Sequence, residues 1–288
     1  MEEMRSTAGY LLIAVLCALI VAVAACGRGE SDLTITEKVE EVPEVPEDDD
    51  EVTLTVVFDN YPYLEGLKTS WGFSCLVEGK EKTVLFDTGG DGDILLYNME
   101  QLGIDPGKID AVVISHTHGD HTGGLTRLLQ ANAKIEVYLP ASSGTDLKNL
   151  ARSGGGLVEV SDALPVCAGI WSTGELGSGI QEQALVVETG AGLLVITGCA
   201  HPGIVEMVRA AKATATGEVL LAMGGFHLRG SSGGEIERII SELKGLGVSH
   251  VGPCHCTGDG AIAAFAAAYG DGMVVVGVGR RIEEKELY

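Results

Sequence analysis

The stretch Ser115–Leu125, SHTHGDHTGGL, places three of the chain's seven histidines and one aspartate within six residues. It follows the apolar run IDAVVIS, which predicts a buried strand, and it leads into GLTRLLQAN, which predicts a short helix. Because alternate residues of an extended segment point the same way, His116 and His118 can reach one ion. Asp120 and His121, where the chain turns into the helix, project toward a neighbouring position. The stretch therefore predicts a metal site at the end of a strand.

The elements around this stretch predict the fold. Before it, VTLTVVF, GFSCLVE and KTVLFDTGG predict strands, and a helix follows over Asp91–Leu102. After it come KIEVYLP, four short strands between 157 and 197, a region of alternating helices and strands, and a closing strand, MVVVGVG. Two β-rich blocks, each followed by helices, indicate an α+β fold with two sheets packed face to face and helices outside. We therefore predict a four-layer αββα sandwich.

Charge and hydropathy divide the 288 residues into three parts, 1–26, 27–51 and 52–288. Residues 8–25 carry no charge and end in small residues before Cys26, which resembles the lipobox of bacterial lipoproteins. There the signal peptide is cleaved and the cysteine receives lipid. An uncleaved membrane anchor is the alternative, because Glu2 and Glu3 leave the N-terminus poorly basic. Residues 27–51 contain eleven acidic residues, two basic ones and two prolines, a composition typical of a disordered linker.

These features limit where the protein acts and on what. We expect a domain at 52–288 that is anchored to the cell membrane and lies outside the cytoplasm. The net charge of −22 argues against a nucleic-acid partner, since such proteins rely on a basic surface. Apart from Cys17 and Cys26 the chain has five cysteines without framework spacing, which argues against a disulfide scaffold. A small molecule is therefore the expected partner, and the sequence leaves the oligomeric state open.

Two sequence motifs resemble those of a known family. HTHGDH matches the HxHxDH signature of the metallo-β-lactamase superfamily, and FDTGG matches the strand-end aspartate that accompanies it, here Asp87. The resemblance extends over residues 52–288 and implies the αββα sandwich, with a site for one or two metal ions at the edge of the inner sheets. It also implies that Asp87 orients a ligand histidine. Without the resemblance, Asp87 reads as a turn-forming residue before glycines.

Three further motifs resemble those of one branch of that superfamily. GCAHPGI, GGFHL and PCHCTG follow SHTHGDHTGGL in the order found in the branch that includes a dihydropterin-ribofuranosyl-aminobenzene-phosphate synthase and many uncharacterised metal-dependent hydrolases. The resemblance implies that the first metal ion binds His116, His118 and His201. It implies that the second binds Asp120, His121 and His255. Nitrogen and carboxylate ligands suit zinc, and imidazole also serves iron and manganese.

The cysteines near these words leave alternatives open. Cys199 follows ITG, where most of the superfamily has an aspartate that bridges both ions. Its thiolate could ligate or bridge the metals, or the residue could be a packed cysteine without a metal bond. Cys254 and Cys256 flank His255. They could be further thiolate ligands, a redox pair, or small buried residues that shape the loop. Alternation along an extended segment predicts that both point away from the side that His255 faces.

The expected chemistry is hydrolysis. The predicted metal ions would lower the pKa of bound water to near neutrality and so supply a hydroxide nucleophile. Asp120 could also orient that water. His227 and Arg229 lie in a glycine-rich loop before a helix capped by Ser232, a setting suited to an anion such as phosphate. The GGFHL resemblance implies that His227 binds substrate or assists proton transfer, whereas without it a lone histidine at this position reads as a surface residue. The predicted substrate is a small, anionic phosphoester, cyclic ester or lactone. The alternatives are a synthase-like transferase activity and a non-catalytic metal, redox or ligand-binding lipoprotein.

Overall fold

The computed structural model describes residues 51–288. The predicted signal segment 1–26, its lipid acceptor Cys26 and nearly all of the predicted linker 27–51 lie outside the described residues. None of the helices formed by residues 51–288 has the length and apolar character that crossing a membrane requires. The membrane anchor therefore stays a prediction from the sequence.

The first sheet has seven strands and is mixed. Its members in chain order are β1 (Thr53–Phe58), β2 (Ser74–Glu78), β3 (Val84–Phe86), β4 (Ala111–Val113), β5 (Glu136–Pro140), β6 (Gly156–Val160) and β13 (Arg281–Glu283). They lie in the order β13-β1-β2-β3-β4-β5-β6. The pairs from β3 to β6 are parallel, and the remaining pairs are antiparallel.

The second sheet has six strands. Its members are β7 (Asp162–Cys167), β8 (Ile170–Gly174), β9 (Leu185–Glu188), β10 (Leu193–Thr197), β11 (Val219–Gly225) and β12 (His250–Cys254). They lie in the order β12-β11-β10-β9-β8-β7, with β10, β11 and β12 parallel to one another. Each sheet thus has a parallel portion, whose strands run to the same edge.

Seven α-helices and four short 3-10 turns connect the strands of the described region. The helices are α1 (Gly92–Gln101), α2 (Gly119–Thr122), α3 (Leu125–Ala131), α4 (Thr145–Arg152), α5 (Ile204–Thr214), α6 (Gly233–Gly245) and α7 (Asp259–Tyr269). The first begins where the Asp91 side chain accepts hydrogen bonds from two amides. The capping spacing predicted at Ser232 is confirmed, since its side chain accepts from the amide of Glu235 at the start of α6.

Three apolar clusters show the predicted layers. The first lies between the sheets and combines side chains such as Val56 and Phe86 with Leu185 and Ile196. The second packs the outer face of the second sheet against α5, α6 and α7. The third packs the outer face of the first sheet against α1 and α3. The order helix, sheet, sheet, helix confirms the α+β four-layer αββα sandwich.

One predicted strand is wrong. MVVVGVG alternates between buried and exposed valines, with Val275 64% exposed between the buried Val274 and Val276. Its amides bond to two separate places, Val274 to Val251 and Val278 to Tyr61, so no continuous ladder forms. The closing strand is instead β13, which pairs with β1. The sequence analysis also did not predict β7 and α4.

Two Thr-Gly-Gly triplets pack together where β3 and α2 end. The Thr88 amide and hydroxyl both donate to the carbonyl of His121, at 2.8 Å each. A β-carbon on Gly124 would lie 2.1 Å from the carbonyl oxygen of Thr88, and one on Gly123 would lie 2.4 Å from that of Gly90. The glycines therefore allow the two loops to approach to backbone contact, which places SHTHGDH against FDTGG.

We predict that Gly124→Ala lowers the free energy of unfolding by about 1–3 kcal/mol, because the added methyl group overlaps the Thr88 carbonyl. Denaturant unfolding of the purified protein measures this. Gly119→Ala is the matched control, since a β-carbon there meets no atom within 4 Å. Equal stability of the Gly124 variant and the control would contradict the close packing of the two loops.

Candidate metal centre

The parallel strands of both sheets end at one edge, and the predicted site residues follow those ends. In residues 51–288 four residues other than glycine adopt left-handed backbone, with φ between 49° and 58°: Asp87, Ala200, His227 and His255. They follow β3, β10, β11 and β12. Such backbone costs on the order of 1 kcal/mol per residue and persists where the surrounding contacts determine it. The strain in the described backbone is therefore concentrated at this edge.

The first predicted ligand set comes together. His116 Nε2 lies 3.0 Å from His118 Nδ1. The ring centroid of His201 lies 4.8 Å from that of His116 and 5.0 Å from that of His118. His201 Nε2 is buried without a hydrogen-bond partner. Three imidazoles therefore converge and His201 presents an unpaired nitrogen, but His118 is exposed and belongs to none of the groups of ligand atoms that residues 51–288 place within 4.8 Å of one another.

The second predicted set also comes together. Asp120 Oδ2 lies 3.6 Å from His121 Nε2 and 3.3 Å from His255 Nε2. His255 Nε2 is buried and makes no hydrogen bond, although the Asp120 carboxylate lies near it. Burying an unpaired polar atom costs free energy. The two unpaired nitrogens, on His201 and His255, are thus positions that an ion would satisfy.

Cys199 lies between the two sets. Its Sγ is 3.3 Å from His121 Nε2. It shares one group of ligand atoms, all within 4.8 Å of one another, with Asp120, His121 and His255, and another with His116 and His201. The side chain is buried. Cys199 therefore occupies the place from which a single ligand can contact both sets.

The electrostatics of the imidazoles suit metal binding. Burial, followed by the neighbouring His227 and His118, lowers the pKa of His201 to about 4. Burial, followed by His121, holds the pKa of His116 well below its usual range, and burial also lowers that of His255. These rings are neutral at pH 7 and offer lone pairs. Together with one carboxylate and one thiol, they fit one or two divalent transition-metal ions.

Asp87, at the end of β3, contacts the loop that carries His116 to His121. It is fully buried, and its Oδ2 accepts hydrogen bonds from His121 Nδ1 and from the Ser115 hydroxyl, both at 2.7 Å. Burial disfavours the charged form of His121, but the Asp87 carboxylate outweighs it and raises the pKa of His121. The carboxylate holds a proton on Nδ1 and leaves Nε2, which faces Asp120 and Cys199, as the nitrogen directed at the metal site.

Two further residues support the ligands and were not predicted from the sequence. The side-chain oxygen of Asn60 lies 2.9 Å from His255 Nδ1. The buried Glu182 accepts hydrogen bonds from the backbone of residues 198–201. A lone Asn after β1 and a Glu before β9 follow no metal-site spacing, so the sequence contained no pattern that could identify them.

The predicted substrate residues take different places. His227 is exposed, with its ring centroid 4.4 Å from that of His201. Arg229 lies 5.7 Å from the centre of the Trp71 ring. Arg229, Trp71 and His255 line a cavity of about 310 Å³. His227 thus contacts the histidine cluster, and Arg229 lines an adjacent cavity.

The prediction that Cys254 and Cys256 point away from the side that His255 faces is confirmed for Cys254 and wrong for Cys256. His255 has left-handed backbone and begins a 3-10 turn over His255–Thr257, so the strand alternation stops there. Cys256 Sγ lies 3.8 Å from the carbonyl oxygen of Cys199 and shares a ligand group with Cys199 and His227. Cys254 lies in the core between the sheets. All five cysteines of residues 51–288 are free thiols.

His250 lies apart from the site. It begins β12, at the opposite end of the strand from His255, and its Nδ1 lies 3.1 Å from the carbonyl oxygen of Leu220. It therefore does not take part in the histidine cluster.

Known proteins share this architecture and sequence. Residues 72–205 match the family model of the metallo-beta-lactamase superfamily. A 7,8-dihydropterin-6-methyl-4-(beta-D-ribofuranosyl)-aminobenzene-5'-phosphate synthase from Methanocaldococcus jannaschii is 30% identical over 254 residues, which cover 71% of this chain and 86% of that protein. The resemblance to this branch is thereby confirmed.

Solved structures agree. The crystal structure of Tm1679, a metal-dependent hydrolase of the beta-lactamase superfamily, has a TM-score of 0.69 and 30% identity, covering 81% of this chain and 98% of that one. YhfI from Bacillus subtilis, a metallo-beta-lactamase fold protein, has a TM-score of 0.58 at 15% identity, covering 81% and 99%. With a relative at 30% identity along most of its length and the four-layer fold, the chain belongs to the metallo-beta-lactamase superfamily.

Proposed function

We propose that the protein is a metal-dependent hydrolase of a small, anionic ester, namely a phosphoester, a cyclic ester or a lactone. The observation that carries this proposal is the convergence of two ligand sets on the buried Cys199, with unpaired nitrogens on His201 and His255, beside an open cavity. A polar site of this kind next to a concave pocket is the usual arrangement of an active site.

The ligands divide as the family resemblance implies. His116, His118 and His201 would hold one ion, and Asp120, His121 and His255 would hold the other, with Cys199 available to both. Zinc is the first candidate, and iron and manganese accept the same donors. When bound, such ions supply a nucleophile from water at neutral pH and polarise the substrate oxygen.

Asp120 and His227 handle protons in this proposal. Burial disfavours the Asp120 carboxylate, but His255 and His121 outweigh it and hold the pKa of Asp120 well below its usual range. The ionised carboxylate can orient an attacking water as a hydrogen-bond acceptor. His227 is exposed beside His201, where it can bind the substrate or donate a proton to the leaving group.

Arg229 supports an anionic substrate. Every other arginine of residues 51–288 is paired with a carboxylate, whereas the described ion pairs do not include Arg229. Its guanidinium lines the cavity that His255 also lines. An unpaired guanidinium favours phosphate or carboxylate, which it can bind with two hydrogen bonds. The cavity, at about 310 Å³, suits a small ligand.

Two other functions have specific support. The Methanocaldococcus relative, named as a synthase, favours a transferase activity of that type. The cysteine at position 199, where the family resemblance implies a bridging aspartate, favours a non-catalytic metal, redox or ligand-binding lipoprotein. The proposed lipid anchor at Cys26 and location outside the cytoplasm rest on residues 1–26 alone. Lipidation of Cys26 would argue against the synthase activity.

Metal content provides the first test. We expect the full chain, purified in detergent, to bind about one to two transition-metal ions, and His118→Ala to lose most of this metal because an imidazole ligand is missing. Elemental analysis measures the ratio of metal to protein. His250→Ala is the matched control and keeps the wild-type content. Unchanged metal in His118→Ala would contradict the ligand assignment.

Cobalt substitution tests the role of Cys199. A thiolate bound to Co²⁺ gives a charge-transfer absorption in the near ultraviolet, and we expect this band in the cobalt-loaded protein. It should disappear in Cys199→Ser, because the hydroxyl oxygen is a hard ligand without that transition. Cys254→Ser, which changes a buried thiol of the core, should keep it. A band that persists in Cys199→Ser would assign the thiolate elsewhere, with Cys256 the nearest candidate.

Turnover tests the reaction and Arg229 together. On a panel of phosphodiesters, lactones and thioesters, we expect hydrolysis of an anionic ester, and we expect Arg229→Ala to raise its KM about 10-fold or more, the loss of one charged hydrogen bond. Arg281→Ala, which removes an exposed arginine on β13, serves as the control. An equal KM in both variants would contradict anion binding by Arg229. Full metal occupancy without turnover would favour the non-catalytic function.

A further inference from the structure

Glu182 is a buried carboxylate in the short segment before β9, and it accepts an unusual set of hydrogen bonds. Its Oε1 accepts hydrogen bonds from the amides of Gly198 at 3.1 Å, Cys199 at 2.8 Å and Ala200 at 2.8 Å. Its Oε2 accepts from the amide of His201 at 2.8 Å. The side chain is fully buried. Four successive backbone amides of one loop therefore bond to a single side chain.

The loop conformation explains why these amides converge. Ala200 has left-handed backbone, with φ at 54°, and a left-handed residue among extended or right-handed ones turns successive amides to the same side. The resulting concave surface binds an anion, here the Glu182 carboxylate. With the amides directed to Glu182, the Cys199 and His201 side chains are free to lie among the other ligands.

Glu182 is not itself a candidate ligand. Among residues 51–288, no group of side-chain atoms close enough to share one ion includes its carboxylate. Its nearest basic group is His116 Nδ1, 4.0 Å from Oε2. Burial raises the pKa of Glu182, and the backbone amides oppose this shift. The hydrogen bonds of this buried side chain all go to the ligand loop, and such an acid without a Lys or Arg partner calls for an explanation.

We propose that Glu182 is the positioning residue of the metal centre. Its carboxylate fixes loop 198–201 so that Cys199 Sγ and His201 Nε2 meet the ions from one rigid segment. This inference rests on the proposed metal-binding function and extends it to a residue that would contact neither metal nor substrate.

Glu182→Gln tests the proposal in the full chain. The variant keeps the size of the side chain but replaces one acceptor oxygen with an NH2 group and removes the charge. We expect the affinity for Zn²⁺, measured by competition with a chelator, to fall about 10–100-fold, the usual effect of losing a partner that orients metal ligands. We also expect the cobalt–thiolate absorption per bound ion to weaken, since Cys199 is displaced.

Glu284→Gln is the matched control. Glu284 is also largely buried and accepts from a loop amide, that of Ala191 at 3.3 Å, but it contacts none of the proposed ligands. It should keep wild-type zinc affinity and the full cobalt–thiolate absorption. If Glu182→Gln does not fold, Glu182→Asp keeps the charge and withdraws it by one methylene, and the same two losses are expected.

The outcomes separate this inference from the proposed function. Wild-type zinc affinity and cobalt spectrum in a folded Glu182 variant would overturn the positioning role alone. A wild-type chain that binds no transition metal would contradict the proposed function and the positioning role with it. A lower melting temperature without loss of metal affinity would show a purely structural carboxylate and would also overturn the inference.

Discussion

The contact between Asp87 and the SHTHGDH loop is the constraint on which the rest of the site depends. One buried carboxylate accepts the Ser115 amide, the Ser115 hydroxyl and His121 Nδ1, each at 2.7 Å. It joins the end of β3 to the loop that follows β4 and directs His121 Nε2 into the cluster. The same two loops also meet at the Thr-Gly-Gly triplets. Only glycine lets their backbones come so near, because a β-carbon would overlap the facing carbonyl oxygen.

On each side of the sandwich, one buried carboxylate holds a loop that carries candidate ligands. Asp87, from the first sheet, fixes the loop with His116 to His121, and Glu182, from the second, fixes the loop with Cys199 and His201. Both acids are buried and both bond to backbone amides, which offset the cost of removing a charge from water. Left-handed backbone at the ends of the parallel strands adds strain that these contacts hold in place. Rigid loops from two sheets can then bring ligands to one point.

Sequence patterns predicted the local part of this arrangement and failed where distant segments meet. The alternation of His116 and His118 lies within one loop, so spacing alone indicated that the two act together. Glu182 bonds to residues 16 to 19 positions away, and Asn60 bonds to a residue 195 positions away. No spacing rule covers such separations. Cys256 was misplaced because the alternation rule assumes an extended segment, whereas the left-handed His255 reverses the direction of the chain.

The sequence by itself determined the four-layer fold, the family and the identity of the histidine and aspartate candidates. Apolar periodicity and the HxHxDH word are local, and burial of the apolar faces leaves few ways to pack two sheets with helices outside. Only the tertiary structure decided that Cys199 lies between both ligand sets and that Glu182 holds its loop. Those relations arise where strand ends of separate segments meet at one edge, and their distances depend on the packing of the whole sandwich.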